Sequence, residues 1–136
     1  MKAIKIITIL LLVICCFILI ACDNEFIEKG KEDICEVLEL VEQGHFDLAQ
    51  RYVHPDKSIN IEGFFNSLEQ TENVDFQSGI EIDKIKNYSY SSWNSDVDGK
   101  EYRIKMHVNV NEKDIYFTIS VGENDNGYGI WHLAAQ

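Results

Sequence analysis

Acid–base catalysis could in principle use five side chains of this sequence. They are Asp47, Tyr52, His54, His107 and His132. A general acid or base must lie within hydrogen-bond reach of its partner, yet no Asp/His pair has the i, i+3 or i+4 spacing that places two side chains together on a helix. Asp47 and His54 are seven residues apart, and His107 belongs to the polar side of its strand. We therefore predict no catalytic residue and a non-enzymatic protein.

Metal-binding patterns are equally weak. Residues 123–127 offer carboxylate and amide oxygens but lack the length and the terminal glutamate of an EF-hand loop. The four histidines do not have the spacing of a zinc site. The sequence also lacks a glycine-rich phosphate loop. We therefore expect neither a metal site nor a cofactor.

The N-terminal segment has the layout of a secretory signal. Lys2 and Lys5 precede the uncharged, almost wholly apolar residues 6–21, and the first acidic residue is Asp23. A plain transmembrane anchor is one alternative, but the apolar run is shorter than the roughly 18–20 residues that span a bilayer. An ordinary cleaved signal is the other alternative, and it does not require a cysteine at position 22.

The end of this segment, Leu19-Ile20-Ala21-Cys22, resembles the lipobox of bacterial lipoprotein precursors. The resemblance implies that residues 1–21 are removed and that Cys22 carries a lipid such as palmitate, which places the protein on the outer side of the cytoplasmic membrane. Asp23 resembles the inner-membrane retention signal of enterobacterial lipoproteins. In a bacterium with two membranes we therefore expect the periplasmic face of the inner membrane.

The processed chain is strongly acidic. Without Lys2 and Lys5 it keeps 10 basic residues against all 23 acidic ones, a formal charge of −13. Such a charge repels nucleic acid and anionic lipids, so we expect no nucleic-acid partner, and we expect the domain to stand off the membrane on a polar tether, residues 22–31. An acidic face for a basic partner is an open alternative to simple solubility. Cys35 is the one thiol left for the domain, so no internal disulfide can form.

The domain itself, residues 32–136, begins with helical patterns. Ile34, Val37, Leu38 and Val41 form one apolar stripe that ends at Gly44. A second helix is predicted from Phe46 until Pro55 stops it, and a third is predicted around residues 61–68.

The second half of the domain has the period of strands. A phase slip near residues 84–85 predicts a bulge, and Asp98-Gly99 predicts a hairpin. Residues 102–110 alternate strictly, residues 111–114 are predicted to turn the chain, and residues 115–121 form the next strand. Another strand is predicted from Tyr128 to Ala134. Helices followed by a four-stranded antiparallel meander indicate an α+β domain.

Two segments resemble the NTF2-like (cystatin-like cone) superfamily. They are residues 42–55, in which a glycine, an aromatic residue and a proline follow the first helix, and the ending Trp131-His132-Leu133. The resemblance implies a helical arm packed on a bent sheet, which together form a cone with a pocket. Enzymes, ligand carriers and binding modules all share this fold, so function must be argued from the site.

One face of the predicted sheet suits a partner. Arg103, Lys105 and His107 share the polar side of a strand, and Tyr116 lies beside them on the next strand. Tyrosine gives a large contact area at low entropic cost. We therefore predict a lipid-anchored, non-enzymatic envelope module that binds a protein or small ligand, of which an immunity or exclusion lipoprotein is one specific form. The alternative is a ligand carrier or enzyme that uses the cone interior, and it requires an open pocket with convergent polar groups.

Overall fold

The computed structural model describes residues 24–136, so Cys22, Asp23 and the predicted signal, residues 1–21, lie outside the described residues. The described part has helices first and a four-stranded antiparallel sheet after them, and the α+β prediction is confirmed. None of the helices within residues 24–136 is both long enough and apolar enough to cross a bilayer.

The first helix, α1, occupies residues 24–42 and is longer than predicted. Residues 24–31, which we predicted as part of a polar tether, are helical. Phe26 and Gly30 precede Ile34 at four-residue spacing and extend the apolar stripe of α1 along one face. Phe26 is buried, and at Gly30 a Cβ atom would lie 2.9 Å from side-chain atoms of Tyr102 and Val121. The predicted tether segment therefore joins the first helix, and α1 packs on the sheet from Phe26 onward.

Two shorter helices follow α1. Gly44 has a φ of +74°, which reverses the chain after α1 as predicted. Helix α2 spans Phe46–Ala49 and continues as the 3₁₀ turn Gln50–Tyr52, so the second helix is shorter than expected. Helix α3 spans Ile61–Glu72, and the Asn60 side chain caps it by accepting a hydrogen bond from the backbone N–H of Gly63.

The sheet is a meander of four strands in chain order, as predicted. The strands are β1 (Glu81–Asn94), β2 (Gly99–Val110), β3 (Lys113–Asn124) and β4 (Gly127–Ala135). The β2–β3 turn contains two residues, Asn111 and Glu112, rather than the predicted four, and both have positive φ. Positive φ at both central positions is the geometry of a type I′ hairpin, whose twist matches that of the strands.

Alternate residues of the two central strands form the core, in the predicted phase. The buried apolar residues are Tyr102, Ile104, Met106, Val108 and Val110 on β2, and Ile115, Phe117, Ile119 and Val121 on β3. Between these strands and helices α1 and α3 there remains a cavity of only about 10 Å³. Its lining is wholly apolar: Ile34, Val37, Leu38, Ile61, Phe65, Ile119, Ile130 and Leu133. A space of this size is at the lower limit for one water molecule, so the interior is filled.

Strand β1 forms one edge of the sheet and is largely exposed on both faces. Its pairing with β2 shifts register at three places, between Ile82 and Lys84, between Asn87 and Ser89, and between Ser91 and Asn94. The predicted single phase slip is thus a series of bulges. Bulges bend a strand and hinder edge-to-edge pairing with another sheet.

Candidate functional site

The four predicted partner-binding residues lie together on the side of the sheet away from the core. We call the surface formed by Arg103, Lys105, His107 and Tyr116 the open sheet face. The first three alternate with buried residues of β2, and Tyr116 is the cross-strand partner of His107 on β3. Tyr116 is 51% exposed. In residues 24–136 no element covers this surface as α1 and α3 cover the other side.

His107 is the centre of a charged cluster on this face. Its Nδ1 atom lies 2.7 Å from Oδ2 of Asp83 on β1, and its Nε2 atom lies 3.0 Å from Oδ1 of Asp114 on β3. Its ring stacks on the Tyr116 ring, with centroids 4.6 Å apart and planes 10° apart. Both ring nitrogens therefore lie within hydrogen-bond distance of a carboxylate, and the ring forms ion pairs with both when it is protonated.

The two carboxylates change the titration of His107. The hydrogen bonds that the ring donates to Asp114 and then to Asp83 raise the pKa of His107 above the usual 6.5, against a smaller opposing effect of desolvation. Hydrogen bonds from Asn109 and then His107 lower the pKa of Asp114 below 3.8. The His107 contribution to stability is therefore complete below pH 6.5 and is lost as the pH rises through the raised pKa. The Asp114 contribution is present above pH 3.8 and is lost as the pH falls through the lowered pKa.

The dependence of the His107 pKa on Asp114 allows a direct test of whether this ion pair forms. In an NMR titration, Asp114→Asn is expected to move the His107 transition to lower pH, because the neutral amide no longer stabilises the imidazolium. Asp125→Asn is the matched control, since Asp125 is an exposed carboxylate in the β3–β4 turn. It is expected to leave the His107 transition in place. Equal transitions in the two variants would show that the ion pair does not form in solution.

The remaining two residues of the open sheet face have partners of their own. The Lys105 ammonium lies 4.6 Å from the ring centroid of Tyr88, a cation–π contact. Arg103 Nη2 lies 2.7 Å from Oε1 of Glu101. Burial of Glu101 opposes its ionisation, but hydrogen bonds from Arg103 and Asn94 and the charge of Arg103 outweigh burial and lower the pKa of Glu101. Each of the two cationic side chains thus has a neighbour on this side of the sheet.

A polar groove borders the open sheet face at the β2–β3 turn. It has a volume of about 460 Å³ and is lined by Glu81, Asp83, His107, Asn109, Glu112 and Asp114. Four of these six residues are carboxylates. A second groove of about 430 Å³ lies between α3 and the ends of β3 and β4, where Phe64, Leu68 and Ile115 contribute apolar walls. Both grooves lie outside the filled interior.

His54, a predicted acid–base candidate, is a structural residue. It is fully buried; its Nδ1 accepts a hydrogen bond from the backbone N–H of Asp56, and its Nε2 lies 3.0 Å from the carbonyl oxygen of Gly127. The ring also packs edge-on against Trp131. Since both nitrogens bond to backbone, His54 joins the segment after α2 to the β3–β4 hairpin.

The other acid–base candidates are not brought together. Asp47 and His132 are exposed on α2 and β4. Tyr52 is half-buried, and desolvation together with a hydrogen bond to Glu36 raises its pKa to about 12, which keeps its hydroxyl protonated at neutral pH. His132 is on the same side of the sheet as Arg103, since both pair with Ser120, but Ser120 is four residues along β3 from Tyr116, the partner of His107. Asp47 and Tyr52 belong to the segment after α1 and are not part of the open sheet face.

The carboxylates of the His107 cluster were not predicted from the sequence. With a two-residue turn at Asn111 and Glu112, counting backwards pairs Asn109 with Asp114 and His107 with Tyr116. The four-residue turn that we predicted at residues 111–114 implies a different pairing of β2 with β3, so it did not place Asp114 near His107. Asp83 could not be found in this way, because the bulge between Ile82 and Lys84 determines its position.

The residues that the structure describes contain no group of three or more His, Cys, Asp or Glu side chains arranged to hold a metal ion. Comparison of the chain with models of protein families, with curated proteins and with solved structures finds no match.

Proposed function

We propose that this protein is a lipid-anchored, non-enzymatic module of the bacterial cell envelope that binds a protein partner through the open sheet face. The filled interior is the observation that carries the proposal. Ligand pockets are usually about 300–1,000 Å³ and contain placed polar groups, whereas the space between helices and sheet is about 10 Å³ and wholly apolar. A carrier or enzyme that uses the interior has no room for a ligand in this conformation.

The chemistry of the open sheet face supports a protein partner. Tyrosine and arginine are enriched at protein interfaces, and here Tyr116 is half exposed while Arg103 and Lys105 are held by neighbours. Side chains that already have neighbours lose less conformational entropy when a partner binds. A basic toxin is one fitting partner, as for an immunity or exclusion lipoprotein, because the groove that borders the open sheet face is lined by four carboxylates.

The proposal also includes the lipid anchor, the membrane in which the protein resides, and the fold family. Cys22 would carry the lipid, and Asp23 would retain the protein at the inner membrane of a two-membrane host. The NTF2-like cone is supported by the order of elements, by α1 packed along the inner side of the meander, and by the register shifts in β1 and between Ser120 and Val121 on β3.

Site-specific photo-crosslinking in intact cells tests the binding face. A benzophenone amino acid at position 116 is expected to give one discrete crosslinked partner, and Lys105→Ala in the same chain is expected to weaken that product. The same amino acid at position 47 is the matched control, because Asp47 is exposed on α2, outside the open sheet face. Equal products at both positions, or none at position 116, would contradict the proposal. A small molecule that copurifies in stoichiometric amount would instead support a carrier.

A further inference from the structure

The start of α1 lies at one particular end of the sheet. The β1–β2 turn, residues 95–98, and the β3–β4 turn, residues 125–126, share this end, which we call the turn end. Phe26 packs there on Tyr90 and Tyr128, with ring centroids 6.1 and 6.0 Å away. From this end α1 runs to the opposite one, where a carboxylate oxygen of Glu42 accepts a hydrogen bond from the backbone N–H of Ile80.

Covalent geometry places the anchor close to the turn end. Cys22 precedes Asn24, the first described residue of α1, by two positions. Two residues span at most about 7 Å whatever their conformation. The polar headgroup layer is roughly 5–8 Å thick on each side of a bilayer. The proposed function requires lipid chains on Cys22 to enter the bilayer. The turn end must then lie in contact with the headgroup layer.

We propose that the turn end rests on the lipid headgroups and that Trp93 makes a second, non-covalent contact with the membrane. Trp93 is 63% exposed, the most exposed large hydrophobic side chain among residues 24–136, and it is two residues from the β1–β2 turn. Tryptophan favours the membrane interface, where its ring is partly in apolar and partly in polar surroundings. The inference rests on the proposed lipid anchor and adds an orientation to it.

Charge does not supply the attraction at this end. The two turns and their neighbouring residues carry Asp96, Asp98, Glu123 and Asp125, all carboxylates. Two nearby lysines make cation–π contacts within the protein. The Lys29 ammonium lies 3.4 Å from the Tyr128 ring centroid, and the Lys100 ammonium lies 5.7 Å from the Phe26 ring centroid. The membrane contact therefore depends on the anchor and on Trp93, and zwitterionic lipid is the suitable surface for a test.

Quenching by brominated lipid tests the contact. The full chain is expressed in bacteria, purified with its lipid, and reconstituted into phosphatidylcholine vesicles that contain dibrominated phosphatidylcholine. In Trp131→Phe, Trp93 is the single tryptophan, and its emission is expected to be strongly quenched. The matched control combines Trp131→Phe, Trp93→Phe and Tyr116→Trp. Position 116 lies eight residues, roughly 27 Å along β3, from Asn124 at the turn end, so little quenching is expected.

The outcomes separate this inference from the anchor. Acylation is measured by the mass of the peptide that contains Cys22, and attachment is measured by flotation with the vesicles. An acylated, floating protein whose Trp93 is quenched no more than position 116 would overturn the membrane contact alone. A protein that is not acylated would overturn the anchor and the contact together. If Trp131→Phe impairs folding, the difference in quenching between the wild-type chain and Trp93→Phe provides the same comparison.

Discussion

Cys22→Ser is expected to abolish fatty-acid labelling of the protein. The hydroxyl of serine does not accept the lipid that the lipobox thiol receives, and the chain offers no replacement. Cys15 and Cys16 lie within the signal, residues 1–21, which the proposed processing removes. Cys35 is half-buried in α1, and burial together with the nearby charge of Glu39 raises the pKa of its thiol, which disfavours the reactive thiolate.

Metabolic labelling with a radioactive or alkyne-tagged fatty acid measures this loss. Cys35→Ser is the matched control and is expected to retain the label of the wild-type protein. The label, rather than membrane fractionation, is the appropriate measurement, because an uncleaved Cys22→Ser precursor keeps the apolar residues 6–21. Label retained on Cys22→Ser would refute the lipoprotein proposal.

Phe65→Ala is expected to cause the largest loss of stability among the side-chain truncations considered. Phe65 is fully buried, and its ring centroid lies 5.0 Å from that of Phe76 and 5.9 Å from that of Phe117. Truncation of a buried phenylalanine costs about 3–5 kcal/mol because it loses apolar burial and leaves a cavity. Total unfolding free energies are about 5–15 kcal/mol, so the variant is expected to be partly unfolded under mild denaturing conditions.

Phe64→Ala provides the matched control for Phe65→Ala. Phe64 is adjacent in α3 but only half-buried, and it lines the groove between α3 and the sheet. Its truncation is expected to lower the free energy of unfolding by much less, as measured by urea denaturation followed by circular dichroism. Equal losses for the two variants would mean that the aromatic cluster around Phe65 is not closely packed in solution.

Alternating residues predicted the phase of the two central strands because every second residue of β2 lies in the core, although β3 is buried on both faces from Phe117 to Gly122. A strand with one face on the core must place every second side chain there, and Ile104, Met106 and Val108 on β2 are buried as that rule requires. The open sheet face follows from the same rule. Its residues were therefore predictable, although their partners were not.

Predictions that depended on residues far apart in the chain were less successful. Residues 24–31 are rich in charged residues, and we therefore predicted a polar tether. In the structure, Phe26 and Gly30 pack on residues of β1, β2, β3 and β4. Local polarity does not reveal such contacts. The bulges of β1 likewise depend on pairing with β2, and they place Asp83 beside His107. The sequence therefore predicted that His107 and Tyr116 share a face, but it did not predict the carboxylates beside His107.

The one-sided pairing of β1 has a consequence for recognition. Strand β1 is bonded to β2 alone, and most of its side chains are exposed, whereas β2 and β3 each have neighbours on both sides. Segments with few buried contacts open at low free-energy cost. The open sheet face, on the two central strands, thus borders a more adaptable margin on β1 that carries Asp83 and Tyr88. In the proposed binding function, a partner can remodel that margin, so one surface can accommodate related partners of different shape.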